Sequence, residues 1–367
     1  MKIAFIGGRD IHKLGGIENY MYNLATELVK LGHEPVVYCE SDKNAEEIVN
    51  GFKVIYQKSI GGIYLCKILL SYKATIQSLL NGNKFDIYHY NAWPPSLASW
   101  IPRLFGKKTI LQGHGLEWKR TKYSGVQQKI MKFMEWFTAH TNTNLTMVSQ
   151  EQSDYFLSHY HKKCSTIPTA IHLPTGNIKS NILEKYSLKD RGYYLYLGRL
   201  VQDKNPDYLI KAFIQTGIIS GHKLVIAGSN DAQPEYVAYL HNLVKGHEDI
   251  IFTGAVYGDD KEQLLSSCYA FCLPSTIEGL AITLLEAMSY HKIVIASHIP
   301  ANREGLGKSG VWCKYEDVED LASKLSYVEN YYEDVKWQEE ANYERVKEHF
   351  QWKAVAEKYD NFIHNLK

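Results

Sequence analysis

Two carboxylates and two cations in the second half of the chain are spaced to suit one task, holding a phosphorylated ligand. The segment Pro274-Ser275-Thr276-Ile277-Glu278-Gly279-Leu280-Ala281-Ile282-Thr283-Leu284-Leu285-Glu286-Ala287-Met288 follows one apolar run and opens another. A strand ending at Leu273 and a helix starting near Leu280 leave the N–H groups of residues 279–283 at a helix N-terminus, where an anion can dock. Glu278 falls in the turn. Glu286 falls in an otherwise apolar helix, where a buried carboxylate needs a partner. The competing reading puts Glu286 on the wet face and leaves Glu278 to favour the helix dipole. A hydrolase dyad fits poorly. Eight helical residues rise ~12 Å and rotate ~80° past two turns, whereas glycosidase carboxylates stand about 5 Å or about 6.5–9.5 Å apart. The spacing suits two carboxylates gripping different parts of one long ligand, with its phosphates between them.

Upstream, Gly198-Arg199-Leu200-Val201-Gln202-Asp203-Lys204-Asn205 follows an apolar strand. Carboxyl ends of strands are where open α/β sheets bind ligands. Arg199 as a fork and Lys204 as a point charge can converge on one anion there; the alternative is two solvated surface cations. The first βα turn, Gly7-Gly8-Arg9-Asp10 then Leu14-Gly15-Gly16-Ile17-Glu18, lacks GxGxxG, which argues against a nicotinamide or flavin enzyme. Its second Gly pair either presents N–H groups to a phosphate or makes a turn that needs positive φ.

These residues need elements to hold them. Strands are expected at Lys2–Ile6, Pro35–Cys39, Phe85–Tyr90, Thr109–Leu111 and Leu145–Ser149, with a helix over 17–31 set by Ile17, Met21, Leu24, Leu28 and Leu31. A segment rich in Pro, Gly, Ser and Asn, Pro168–Gly192, reads as an interdomain connection. The alternation then restarts, with strands at 193–197, 223–227, 250–253, 270–273 and 293–296 and helices at 206–216, 234–245, 260–267 and 280–290. This βαβα order predicts parallel sheets covered by helices, in two successive α/β domains. Trp352, Val355, Tyr359, Phe362 and Leu366 recur at steps of three and four, an amphipathic helix that must bury its stripe.

With those motifs in hand, the chain resembles, nearly end to end, the retaining glycosyltransferases of GT-B fold in the "group 1" (family four) class. Glu278 and Glu286 are similar to its E-x7-E motif. Gly15-Gly16-Ile17-Glu18 is similar to its first Gly-rich loop, and Gly198, Arg199 and Lys204 to its phosphate-binding cations. Asp86-Ile87-Tyr88-His89-Tyr90-Asn91 resembles its DxxHxH strand end, with Asn91 off-pattern. Gln112-Gly113-His114-Gly115-Leu116-Glu117-Trp118-Lys119-Arg120 resembles the His loop of bacterial capsule and O-antigen transferases, including rhamnosyltransferases. Val148-Ser149 and Ile167-Pro168-Thr169-Ala170-Ile171 resemble two further motifs, the second with Thr169 where Asn is usual. Two departures bear on the donor sugar. Ala281 stands where the motif has a second Gly, and His298-Ile299-Pro300-Ala301-Asn302-Arg303-Glu304 replaces a Gly-Gly-x-Pro-Glu segment.

The resemblance implies a GT-B architecture: Rossmann-like domains at 1–170 (acceptor) and 171–349 (nucleotide sugar) facing a central cleft, and a helix at 350–367 crossing back to the first domain. It implies a retaining hexosyl or deoxyhexosyl transfer from a nucleotide-diphosphate sugar to a saccharide, lipid-linked acceptor in surface polysaccharide synthesis. Catalytic roles fall to His114, Glu278, Arg199 and Lys204, with His114 beside the reacting sugar. Donor binding falls to Gly16, Gly198, Gly279, Leu280, Ala281, Ile282, Thr283 and Glu286, with Glu286 on the ribose hydroxyls. No cofactor and no metal are expected, the nucleotide sugar being a co-substrate. The rivals are a sugar-nucleotide epimerase or hydrolase and a non-catalytic nucleotide-sugar binder.

Composition bounds the rest. The 367 residues suit two domains, and 45% hydrophobic with 22% charged residues is globular. The formal charge of +1 argues against a nucleic-acid binder. It hides an asymmetry: residues 1–170 hold 20 Lys/Arg against 13 Asp/Glu, and residues 171–367 hold 21 against 27. The basic residues Lys119, Arg120, Lys122, Lys129 and Lys132 precede Phe133, Met134, Trp136 and Phe137, and read either as a face for anionic membrane or as an ordinary helix with its stripe in the core. No apolar stretch reaches membrane-spanning length, no secretory leader is read at the N-terminus, and six scattered cysteines read as buried thiols. The expected location is the cytoplasm, at the inner face of the plasma membrane.

Overall fold

The computed structural model describes residues 1–12, 15–58, 63–80, 84–119, 125–142, 144–217, 221–229 and 233–366. The chain forms two units, Met1–Ala170 with Trp352–Lys367, and Ile171–Gln351.

The first unit carries β1 (Lys2–Gly8), β2 (Glu34–Ser41), β3 (Ala45–Val49), β4 (Phe52–Lys58), β5 (Ile87–Asn91), β6 (Lys108–Gly113), β7 (Asn144–Met147) and β8 (Ser165–Thr166), in the order β3-β4-β2-β1-β5-β6-β7-β8. All pairings are parallel except that of edge strand β3 with β4, a hairpin absent from the sequence-based expectation. β1, β2 and β5 are almost wholly buried, as befits strands covered on both faces. The helix Gly16–Lys30 covers one face with Tyr20, Met21, Leu24 and Leu28. Onto the same core packs the helix Trp352–His364, burying Trp352, Val355, Ala356, Tyr359 and Ile363. The other face is covered by the helices Ile63–Leu80, Trp93–Ser96 and Gly125–Thr141.

Among the described residues, the second unit has six parallel strands: β9 (Tyr193–Leu197), β10 (Lys223–Ala227), β11 (Ile250–Gly254), β12 (Ala270–Leu273), β13 (Ile293–Ser297) and β14 (Val311–Cys313). Their order is β11-β10-β9-β12-β13-β14, so strand order reverses between β9 and β12. In a doubly wound sheet that reversal opens a crevice at the strands' carboxyl ends, the place for a ligand. The loops after β9 and β12 are those that carry Arg199, Lys204 and Glu278. Both units are Rossmann-like α/β folds.

The boundary shift that bears on the site is at the helix after β12. The helix after β12 is Ile282–Ser289, starting two residues later than the pattern suggests, because Ala281 is extended at φ −72°, ψ 117° and serves as its N-cap. Glu278 therefore lies in a loop, and helical rise and rotation do not describe its spacing from Glu286.

Candidate functional site

In the second unit, the loop after β9 runs through Gly198 and Arg199 into a single turn at Gln202–Lys204, then a left-handed Asn205 that opens the helix Pro206–Thr216. Backbone bonds pin it to β10: Gly198 N–H donates to Ala227 O at 3.0 Å, and Leu200 N–H to Ser229 O at 3.2 Å. The approach requires a glycine opposite, since a Cβ on Gly228 would stand 2.0 Å from the Gly198 carbonyl oxygen. Asn205 laces this loop to the one after β12, donating from Nδ2 to Pro274 O (3.0 Å) and Thr276 Oγ1 (2.7 Å), while Thr276 N–H donates to Asp203 O (3.0 Å).

Across that seam lies the main polar contact. Lys204 Nζ stands 2.5 Å from Glu278 Oε1, both side chains largely buried. An ion pair taken out of water needs such close geometry to offset desolvation. Below it, the buried Tyr196 hydroxyl donates to Arg199 O at 2.8 Å. Burial and then the Glu278 carboxylate push that phenol well above its ordinary pKa, and Arg199 opposes them, so all three share one electrostatic neighbourhood. The Arg199 side chain itself is exposed and makes no ion pair among the described residues.

Gly279, Leu280, Ala281, Ile282 and Thr283 follow directly. Among the described residues, none of their N–H groups meets an acceptor; the first bond of the run is Leu285 N–H to Ala281 O at 3.3 Å. The helix has no side-chain cap. These N–H groups lead into the N-terminus of the helix, where an anion can dock, and follow directly on Glu278, the partner of Lys204. Glu286, a turn further on, pairs with Lys261 Nζ at 2.6 Å, from the helix Gly258–Ser267. The carboxylate meets a cation and is not simply solvated. Lys261 escaped the sequence reading because it lies in a polar helix start, Gly258-Asp259-Asp260-Lys261, with no motif to mark it.

The first unit gathers a second cluster at the ends of β1, β5 and β6. His114, half-buried, follows β6, and its Nε2 lies 3.2 Å from Asn91 Oδ1 at the end of β5. The Tyr20 ring meets His114 edge-on at 5.0 Å, and its hydroxyl donates to Gln112 Oε1 at 3.2 Å. So Asn91, the residue that departs from DxxHxH, is the hydrogen-bond partner of the loop histidine. His89 is fully buried beneath, its Nδ1 2.7 Å from the Tyr359 hydroxyl. Burial, then neighbouring His114, drops its pKa from 6.5 to about 3, which keeps it neutral. Gly16 is exposed at the first position of its helix, with open space around it. Glu18, two residues on, is buried and accepts from Arg9 N–H (3.0 Å) and Arg9 Nε (3.2 Å). Burial alone would raise its pKa; Arg9 outweighs it and holds the carboxyl below the usual range. A Cβ at Gly15 would lie 2.1 Å from Glu18 Oε2, so Gly15 makes room for the carboxylate. The predicted site residues fall into two sets: His114 and Gly16 in the first unit, and the rest in the second.

On the segment 119–132, Arg120 and Lys122 lie outside the described residues. The helix Gly125–Thr141 buries Met131, Met134, Glu135, Thr138 and Ala139. The apolar stripe therefore does not turn into the core as a unit: Met134 does, while Phe133 and Trp136 are exposed. The cysteines are free, five of them buried and Cys164 half-buried. No described helix is long and apolar enough to cross a membrane.

Comparison with known proteins follows the same two-part division. Residues 14–174 match the family "Glycosyltransferase Family 4", and residues 179–345 match "Glycosyl transferases group 1". The chain is 25% identical over 344 residues to the uncharacterized glycosyltransferase MJ1607 of Methanocaldococcus jannaschii, spanning 88% of this chain and 87% of that one. It is 26% identical over 244 residues to the UDP-Gal:alpha-D-GlcNAc-diphosphoundecaprenol alpha-1,3-galactosyltransferase of Escherichia coli, 62% of each chain. The crystal structure of Anabaena Alr3699/HepE in complex with UDP and glucose matches over 100% of both chains, with a TM-score of 0.81 at 15% identity. The fold is GT-B, and each of its two units carries a match to a glycosyltransferase family model, each over less than half of the chain.

Proposed function

We propose that this protein transfers a hexosyl or deoxyhexosyl group, with retention, from a nucleoside-diphosphate sugar to a lipid-linked saccharide in bacterial surface polysaccharide synthesis. The observation that carries the reading is the set of unmatched N–H groups at 279–283, next in sequence to Glu278 and its partner Lys204, in the loop after a strand at the strand-order reversal of the second unit. Breaking a sugar–phosphate bond leaves negative charge on the diphosphate and an oxocarbenium-like anomeric carbon. Preorganised donors aimed at that charge are the main catalytic resource. Lys204, Arg199 and the N–H groups of Gly279, Leu280, Ala281, Ile282 and Thr283 supply them without a metal, and Gly198 lets the phosphates approach. Glu278 serves the donor sugar, Glu286 the ribose hydroxyls, and Gly16 the first unit's Gly-rich loop. His114, oriented by Asn91, serves the reacting sugar.

Two likenesses support the choice of substrates. The Escherichia coli relative is named for transfer to a diphosphoundecaprenol-linked sugar, and the Anabaena structure holds UDP and glucose. The test is nucleotide release across UDP-, dTDP- and GDP-sugars, with lipid-linked saccharides as acceptors. One donor should turn over only when acceptor is present, with the anomeric configuration kept. Lys204→Ala and Glu286→Ala should each lower turnover by ~10²–10³ while the chain stays folded. Conversion of donor without acceptor would make the protein an epimerase or hydrolase. Near-normal turnover in both variants would refute the site.

A further inference from the structure

Exposed apolar side chains are distributed unevenly over the molecule. In the second unit the exposed large ones are Tyr239, Tyr257, Tyr315, Tyr327, Tyr331 and Trp337, each with a polar atom of its own. In the first unit they are mostly aliphatic or aromatic residues of one helical layer. The helix Ile63–Leu80 shows Leu65, Leu69, Ile76 and Leu80 to solvent, a stripe at helical spacing with exposed Lys73 within it. The short helix Trp100–Leu104 adds Trp100 (40% exposed), Leu104 (73%) and Phe105 (65%). The helix Gly125–Thr141 adds Val126, Ile130, Phe133 and Trp136, with Lys129 and Lys132 exposed between them.

These helices are bound into one layer. Tyr72 donates to Leu97 O at 2.9 Å, Trp100 Nε1 to Tyr72 at 3.4 Å, and Ser96 meets Thr138 at 2.6 Å. The helices Ile63–Leu80 and Gly125–Thr141 share one core over the sheet, and Trp100–Leu104 is tied to them through the Trp100–Tyr72 bond. Exposed apolar side chains gathered on one layer in this way mark a docking site.

Charge names the occupant. The three helices carry Lys67, Lys73, Arg103, Lys129 and Lys132, and their one acidic residue, Glu135, is buried. A second copy of this chain would set one basic face against another, an unfavourable isologous contact. An anionic bilayer offers hydrocarbon for the leucines and phenylalanines, phosphates for the lysines, and an interface for Trp100 and Trp136.

We propose that the outer faces of these three helices form one surface that seats the protein on an anionic lipid bilayer. The proposal deepens the reading of a lipid-linked acceptor and extends the surface well beyond the basic segment 119–132. The chain also joins this surface to the candidate site. The loop that carries His114 continues into a turn at Glu117–Lys119, where Trp118 Nε1 donates to Glu135 Oε2 at 3.0 Å. Glu135 lies in the helix Gly125–Thr141, and Tyr155 and Tyr160 hold its other oxygen. A bilayer under that helix thus meets an element braced directly against the His114 loop.

Co-sedimentation of the full chain with phosphatidylcholine vesicles, with and without phosphatidylglycerol, tests this. Binding should need the anionic lipid and weaken with salt. Leu69→Glu, Leu104→Glu and Phe133→Glu, one per helix and all at exposed positions, should each weaken it about tenfold. Lys129→Gln with Lys132→Gln should weaken it roughly twentyfold. Absence of salt-sensitive binding would overturn the proposal. Loss with Phe133→Glu but not with Leu69→Glu or Leu104→Glu would overturn the three-helix surface. A wild-type dimer split by the glutamate variants, seen by light scattering, would assign the face to a second copy instead. Nucleotide binding without vesicles reports separately on the transferase reading: if it fails while vesicle binding holds, only that reading falls.

Discussion

The pairing of each site carboxylate with a lysine determines what single substitutions should do. Glu278 has Lys204 and Glu286 has Lys261, so each carboxylate is held in place by a cation. Lys261 has no motif identity, yet it holds the oxygen through which Glu286 would otherwise wander. Removing it should loosen the carboxylate without removing it. Lys261→Met should raise the KM for the nucleotide sugar by roughly three- to tenfold, the scale of a partly exposed charge-assisted bond, and leave kcat nearly unchanged. Donor titration of the two proteins checks this, and a collapse of kcat at constant KM would contradict a positioning role. Lys204→Ala differs in kind. It strands Glu278, whose side chain is largely buried, so it should cost stability as well as turnover. The double variant Lys204→Ala with Glu278→Gln should recover part of the melting temperature and none of the activity.

At the scale of elements, β5 and the C-terminal helix meet through a titratable group. His89 is held neutral by burial between Phe5, Tyr359, Tyr20 and His114. Its folded pKa of about 3 lies below the unfolded value of 6.5. Between those values the unfolded chain binds the extra proton, so the stability His89 permits at neutral pH is lost as pH falls. The slope approaches about 1.4 kcal/mol per pH unit for one such group. Urea unfolding of the first unit at pH 7, 6 and 5 should show it, and His89→Gln should remove that part of the slope whatever its absolute stability. Equal slopes would mean that water or another base shares the proton. This contact also separates what the sequence reveals from what it withholds. The strands β9, β10 and β12 match their expected limits because each is an apolar run with turn residues at both ends. The 3–4 spacing of Trp352, Val355 and Tyr359 likewise announces a helix. The hairpin β3–β4 is not announced, because Glu46 and Glu47 in an edge strand carry no apolar alternation. The helix Gly125–Thr141 is not resolved into faces either, because Phe133 and Met134 look alike as hydrophobic residues while one is out and one in. Motif residues were legible because phosphate chemistry restricts them to few types. Their partners, Lys261 for Glu286 and Asn91 for His114, come from distant elements that only tertiary packing brings together.

For the whole molecule, the decisive fact is that the chain passes between the two units twice, at Ala170–Ile171 and again at Gln351–Trp352. The last sixteen residues belong to the first unit's core, although the second unit separates them from it in sequence. Trp352, Val355, Tyr359, Ile363 and Leu366 are buried there. His33 and Asp360 (2.7 Å) and Lys108 with Leu366 O (2.8 Å) close the edges of the contact. Five large apolar side chains at about 1.5–3 kcal/mol each come to the order of 10 kcal/mol, comparable to the whole stability of a typical domain, about 5–15 kcal/mol. A chain ending at Gln351 should therefore keep the second unit and lose the first. Hydrogen exchange should find β1, β2 and β5 unprotected and β9, β12 and β13 as slow as in the full chain. Nucleotide should still bind the truncated protein through Lys204 and the N–H groups at 279–283, with transfer abolished. Retained protection in β1 and β5 would show that the helix only decorates the first unit, and loss of protection in both units would show that the two do not fold independently.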